Sequence, residues 1–301
     1  MTNRSGRFVL TTALGLALAT FAGRAYADDP AASPPTEGTP PAGGDATTPP
    51  AAAAPAAVAS GFSPDVTLGG GAIAIDGDIV IGMSKDFAGK PIQIVPNLYY
   101  GVNNQLTVGI AHNTGAEIFQ AVNVFGGRGL CLSGESDGCR KVYNNLSLDA
   151  LFSFMRSSSM DIAAHGGIDF FFLSDPNWTQ LRLGVKGKTM AGPVIIVFDP
   201  AIFIGLNNRD IGNKEAINIP ARFGFMVTPQ LNLGLSIALG GPFDGFGDNY
   251  VVPVGLGGAF AINSQLDVRA QFAFNNLLGN VGDGVGRADA RTLSVGAAFH
   301  M

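Results

Sequence analysis

Past residue 27 the sequence has no uninterrupted apolar run of the roughly 18 residues that a membrane-spanning helix needs. That absence excludes a helical membrane protein. Charge is also scarce, at 14% of residues against about a quarter in ordinary soluble domains. Hydrophobic residues make up 47% and the mean hydropathy is +0.27, so an ordinary soluble surface is excluded as well. The two cysteines, Cys131 and Cys139, are too few for a disulfide-rich scaffold. Neither has a histidine or further cysteine close by, so no metal site is expected. The glycine clusters "LGGGAIAIDG" and "VGLGGAFAI" lack the Lys-Ser or Lys-Thr partner of a phosphate-binding loop.

What is present begins with Arg4 and Arg7 ahead of an apolar stretch, Phe8 to Phe21, that ends in Ala25-Tyr26-Ala27. Residues 1–27 therefore read as a secretory signal peptide. Their removal takes three arginines and no acids from 18 basic and 23 acidic residues, leaving 15 against 23 and a net charge of −8. Nucleic acid is not expected as a partner of so acidic a chain. Residues 28–60, dense in Pro and Ala, hold too little apolar surface to offset the entropy of ordering and are expected to form a disordered arm. From 61 to 301 the composition shifts to Gly, Val, Ile, Leu, Phe and Asn with no second linker, which predicts one folded domain.

That domain alternates strictly. In "NSQLDVRAQFAF" the residues Leu266, Val268, Ala270, Phe272 and Phe274 share one face, and Asp267, Arg269, Gln271 and Ala273 the other. Short breaks and longer loops also take turns along the chain. Three of the short breaks run into Gln-Leu, at Gln105-Leu106, Gln230-Leu231 and Gln265-Leu266. The longer connections lie near 85–90, 114–141, 174–179, 207–215, 242–249 and 280–289. A bilayer admits only helices or closed barrels, because every peptide group must be paired without water. With helices excluded, the alternation predicts an all-β, transmembrane antiparallel up-and-down β-barrel of about twelve strands, from 73–85 to 291–300. Ten or fourteen remain open, since 62–72 and 116–126 can be counted either way. The even count, the long-short asymmetry and the leader together favour a barrel over a soluble sandwich.

In a barrel the two faces exchange places, with the apolar row toward lipid and the polar row toward a lumen. The lumen row would then hold Asp76, Asp78, Asp149, Asp161, Asp169, Asp199 and Asp267 with Arg182, Lys186, Lys188, Arg222, Arg269 and His165. Seven acids against five bases is too balanced for strong ion selectivity, but opposed charges can focus a field across a constriction. Trp178, Tyr99, Tyr100 and Tyr250, near strand ends, suit interfacial girdles. His112 is expected at a strand end, at the interface. Cys131 and Cys139 are close enough to predict a local disulfide in the longest loop. The start of that loop, "AEIFQAVNVFGG", is apolar; the simpler reading is that it extends two strands above the membrane, the alternative that it folds inward and narrows the lumen. A Ser153-His165-acid hydrolase is conceivable, but Asp161 and Asp169 are each four residues from His165, about 13 Å along a strand, and cannot both touch it. No enzyme activity and no cofactor are expected.

These features resemble the outer-membrane β-barrel proteins of Gram-negative bacteria, the porin-like superfamily in the broad sense. The resemblance covers about residues 61–301 and rests on the leader, on "VNNQLTVGI", "VTPQLNLGL" and "INSQLDVRA", and on the last strand "RTLSVGAAFHM". Such proteins usually end on an aromatic residue, whereas here His300 and Met301 follow Phe299. The resemblance implies outer-membrane lipid as surroundings, the outer-membrane assembly machinery as a partner, and passive passage of small hydrophilic solutes. It leaves a homo-oligomer open. The alternatives are a non-conducting barrel that anchors or displays its loops and, more remotely, a barrel-embedded lipid hydrolase.

Overall fold

The computed structural model describes residues 65–84, 90–112, 129–134, 139, 141–171, 173, 177–280 and 289–301. Its strands are β1 (Ile73–Gly82), β2 (Ile92–Gly101), β3 (Leu106–Ala111), β4 (Leu130–Cys131), β5 (Asn145–Arg156), β6 (Met160–Phe171) and β7 (Trp178–Ala191). The second half adds β8 (Val194–Phe198), β9 (Ala201–Gly205), β10 (Ala216–Met226), β11 (Leu231–Pro242), β12 (Val254–Ala261), β13 (Leu266–Phe274) and β14 (Arg291–His300). Every pairing is antiparallel, and β1 pairs with both β2 and β14, so the sheet closes on itself. No helix among the described residues is long and apolar enough to cross a membrane.

Fourteen segments make twelve strands of wall. β8 and β9 are one strand, because Gly187 faces Phe198 and Gly184 faces Ala201, three residues apart on both sides. The ladder lapses at Asp199-Pro200, where proline has no N–H to donate. β4 is a two-residue piece that pairs with Gln93 and Ile94 of β2, while Leu130 faces Tyr143 on its other side. This returning limb of the longest loop completes the wall above the short β3. The first limb of that loop, on which the choice between extending the strands and folding inward turned, lies outside the described residues. Cys131 and Cys139 form a disulfide with their Cα atoms 5.8 Å apart, fixing the returning limb.

The repeated Gln-Leu motif has a local cause. At the β2–β3 turn the amides of Gln105 and Leu106 donate to Asn103 Oδ1 at 2.8 and 2.9 Å. Gln265 and Leu266 donate in the same way to Asn263 Oδ1, and Gln230 and Leu231 to Thr228 Oγ1. The side-chain oxygen takes the place of a backbone acceptor and starts the strand at a fixed residue.

The faces are inverted relative to a soluble sheet. On β5, Asn145, Ser147, Asp149, Leu151 and Ser153 are buried, whereas Phe152 and Phe154 are 49% and 55% exposed on the outside. Exposed phenylalanines repeated around the wall fit an apolar surrounding and not water. On β13, Val268 and Phe272 are likewise on the outer, exposed row.

Candidate functional site

The inner face encloses a cavity of about 500 Å³. Asp76, Asp78, Asp149, His165, Arg182, Lys186, Asp199, Arg222 and Arg269 line it. The other four residues of the expected lumen row lie on the same inner face by strand parity, but off the cavity wall. Asp161 and Asp169 are wholly buried, Lys188 sits opposite Asp161 on β7, and Asp267 Oδ2 is 3.3 Å from His300 Nε2.

Two charged groups dominate the cavity, and the same device builds both. Asp149, Gly167 and Arg182 form one row across β5, β6 and β7. Gly167 has no side chain between its neighbours, so Arg182 Nη2 donates to Asp149 Oδ1 at 2.5 Å. A Cβ at Gly167 would come within 2.6 Å of that Nη2. Across the barrel Arg269, Gly296 and Asp78 form a row on β13, β14 and β1. Arg269 Nε and Nη2 donate to Asp78 at 2.8 and 2.9 Å, and Nη2 also donates to Asp76 at 2.9 Å. A Cβ at Gly296 would meet Asp78 Oδ1 at 2.0 Å. The glycines of the inner row thus leave space for charged pairs to close over them. Spacing along the chain carries no sign of this; only the register between strands does.

The β5–β9 group extends further. His165 Nδ1 lies 2.6 Å from Asp199 Oδ1, and Nε2 lies 2.8 Å from Asp149 Oδ1. Arg182 Nη1 is 2.9 Å from the same Nε2, which therefore donates to Asp149 or accepts from the guanidinium according to its tautomer. Asp169 Oδ2 is 3.4 Å from Arg182 Nε, and Lys186 Nζ is 3.9 Å from Asp199 Oδ2. The acids that touch His165 are thus Asp149, on the adjacent β5, and Asp199, between β8 and β9 on the far side of β7. Ser153 Oγ donates instead to Asp161, so serine and histidine do not form a nucleophile-base pair.

Three of the four expected girdle aromatics stand elsewhere. Tyr99 lines the cavity, over Gly109, where a Cβ would come within 2.3 Å of its ring. Adjacent residues on a strand must point to opposite faces, so only Tyr100 of that pair is outside, 47% exposed. Trp178 shares the parity of Gln180 and Arg182 on the inner row, and Tyr250 stacks on Phe246 in a loop. His112 is buried, its ring against Pro96 O and 2.7 Å from Tyr143 Oη.

A loop that the sequence did not single out turns inward. Between β9 and β10, Asn213 is fully buried, and its Oδ1 accepts from Gln180 Nε2 of the inner row at 2.7 Å. A Cβ at Gly205 would strike Asn213 O at 1.9 Å, so the loop rests against the inner wall. Phe203 beneath it is 1% exposed. At the edge of this loop the Glu215 carboxylate is held below its ordinary pKa, first by the hydrogen bond from Arg209. Among the described residues no cluster of His, Cys, Asp and Glu is arranged to hold a metal.

No protein-family model matches the chain, and no curated protein matches its sequence. Solved structures do resemble it. The NanC porin superimposes with a TM-score of 0.52 at 7% identity, over 75% of this chain and 98% of that one. The KdgM porin gives 0.47 at 7% identity, over 75% and 98%. An outer membrane channel from Pseudomonas putida F1 gives 0.49 at 10% identity, over 79% and 98%. The fold is that of the outer-membrane β-barrels.

Proposed function

We propose that the chain is an outer-membrane channel through which small hydrophilic solutes diffuse passively. The observation that carries this reading is the closed wall of twelve strands, apolar outside, around a charged cavity of about 500 Å³. Its likeness in fold to a porin supports it. Residues 1–27 direct export and are removed, 28–60 form an arm, and the barrel from 61 onward is inserted by the outer-membrane assembly machinery. The nine expected lumen residues that line the cavity then form the wall of the path a solute takes, and no chemistry is required of them.

A non-conducting barrel that anchors or displays is the second reading. The inward β9–β10 loop and the buried charges of β5–β7 favour it, because they occupy part of the lumen. Reconstitution of the purified protein into planar bilayers separates the two. Discrete current steps, with a reversal potential near zero in a salt gradient, are expected of the balanced lining. Silence from protein that shows the heat-modifiable migration of a folded barrel would overturn the channel.

A further inference from the structure

The chain does not enter β1 from outside the barrel. Ahead of Ile73, the residues Gly69 to Ala72 form a tight turn in which Ala72 N donates to Gly69 O at 3.0 Å and Gly71 adopts φ +83°. That backbone is open to glycine and rare for other residues, which accounts for "LGGG" at this place. The turn throws residues 65–68 back against the inner wall. Gly69 rests on the inner face of Gly101, where a Cβ would lie 2.0 Å from Gly69 O. Leu68 N then donates to Thr107 Oγ1 of β3 at 2.8 Å. Further on, Val66 N and Thr67 N donate to Asp161 Oδ2 of β6 at 2.8 and 3.4 Å.

We infer that residues 65–71 are a strap that narrows the lumen at its short-turn mouth, latched by Asp161. The strap runs from β1 along the inside of β2, β3 and β5 to β6, and Val66 and Leu68 face the cavity. Asp161 has no exposure, so its charge must be met by donors. Ser153 Oγ and Arg156 Nη2 supply two from the wall, the second at 2.9 Å, and the strap amides supply the other two. Arg156 also grips the strap, donating to Thr67 Oγ1 and lying 3.5 Å from Asp65. An asparagine at 161 would present an uncharged oxygen, or its own N–H groups, to the strap amides. The latch therefore depends on a carboxylate.

The contacts stand without the channel reading; only the consequence for passage rests on it. The test uses the full chain with Leu68→Cys, whose thiol is the single reduced one because Cys131 and Cys139 are bonded to each other. Two variants release the strap from opposite ends: Asp161→Asn at the latch and Gly101→Ala at the turn. Labelling by a charged, membrane-impermeant thiol reagent is read together with single-channel conductance. Either variant is expected to raise the labelling rate roughly tenfold, the scale of losing one charge-assisted hydrogen bond, and to raise the conductance. Labelling unchanged in both folded variants would overturn the latch. Faster labelling with unchanged conductance would overturn the narrowing. Faster labelling with no current in any form would keep the strap and sink the channel, so the two readings fail separately.

Discussion

Two walls of the barrel carry the same Asp-Gly-Arg row to different ends. On β5–β7 the row Asp149-Gly167-Arg182 is joined by His165, Asp169 and Asp199, and the Asp149 and Arg182 side chains are 2% and 3% exposed. On β13, β14 and β1 the row Arg269-Gly296-Asp78 gains only Asp76, and the Arg269 side chain remains 27% exposed. Within the first set Asp149, His165, Asp169 and Arg182 are buried against one another and act as wall, while Asp199 at its edge keeps a side chain 25% exposed. The second set is partly exposed throughout and, in the channel proposed above, is with Asp199 the set that a solute would feel. Lining a lumen and being available to it are different properties, and burial separates them.

The sharpest test of that difference is Arg182→Met, which leaves Asp149 and Asp169 buried beside each other without their guanidinium. Losing one partner of a buried network costs about 3–5 kcal/mol, and urea unfolding of the protein in lipid vesicles should show a loss of that size. An effect under about 1 kcal/mol would mean that the wall is wetter than the geometry implies. Next in size is a test of the face on which the second wall keeps its charges. Phe272→Lys on the outer row should cost about 2 kcal/mol and lower the yield of folded barrel, while Gln271→Lys on the inner row should be nearly neutral. Equal effects would undo the inversion of the faces.

Gly167→Ala should then cost about 1–3 kcal/mol, because its Cβ enters the space that Arg182 occupies. Gly166→Ala, one residue away with only an ordinary contact at 3.6 Å, should be close to neutral in the same unfolding assay. The smallest effect on stability, within about 1 kcal/mol, belongs to Arg269→Met, whose ion pairs are partly in water. Its expected result is electrical: with Asp76 and Asp78 unopposed, the reversal potential in a salt gradient should shift toward cation preference. No shift would place the second wall outside the conducting path.

Much of this architecture was legible along the chain. Alternation with a period of two sorts residues between faces wherever the register does not matter, and Asn103, Thr228 and Asn263 start strands by contacts two and three residues away. The contacts within each face were less legible. His165 has Asp161 and Asp169 on its own strand, yet it bonds Asp149 on the adjacent β5 and Asp199 from the far side of β7, because side chains of one inner face reach across strands more easily than across four residues along one. Tyr99 was placed at the interface by its type and lies inside by its parity. Of the segment 62–72, countable as an extra strand, the described residues hold instead a glycine turn and a strap whose partners are 30 and more residues distant.

The sequence by itself determined an alternating all-β domain, the count of about twelve strands and the apolar outside, because each depends on interactions between residues a few positions apart. Tertiary structure alone decided which charges are spent on one another, that glycines seat the arginines, which loop turns inward and where the strap lies. Those outcomes depend on register and closure, which bring distant strands side by side, and no local pattern encodes the partner across the gap.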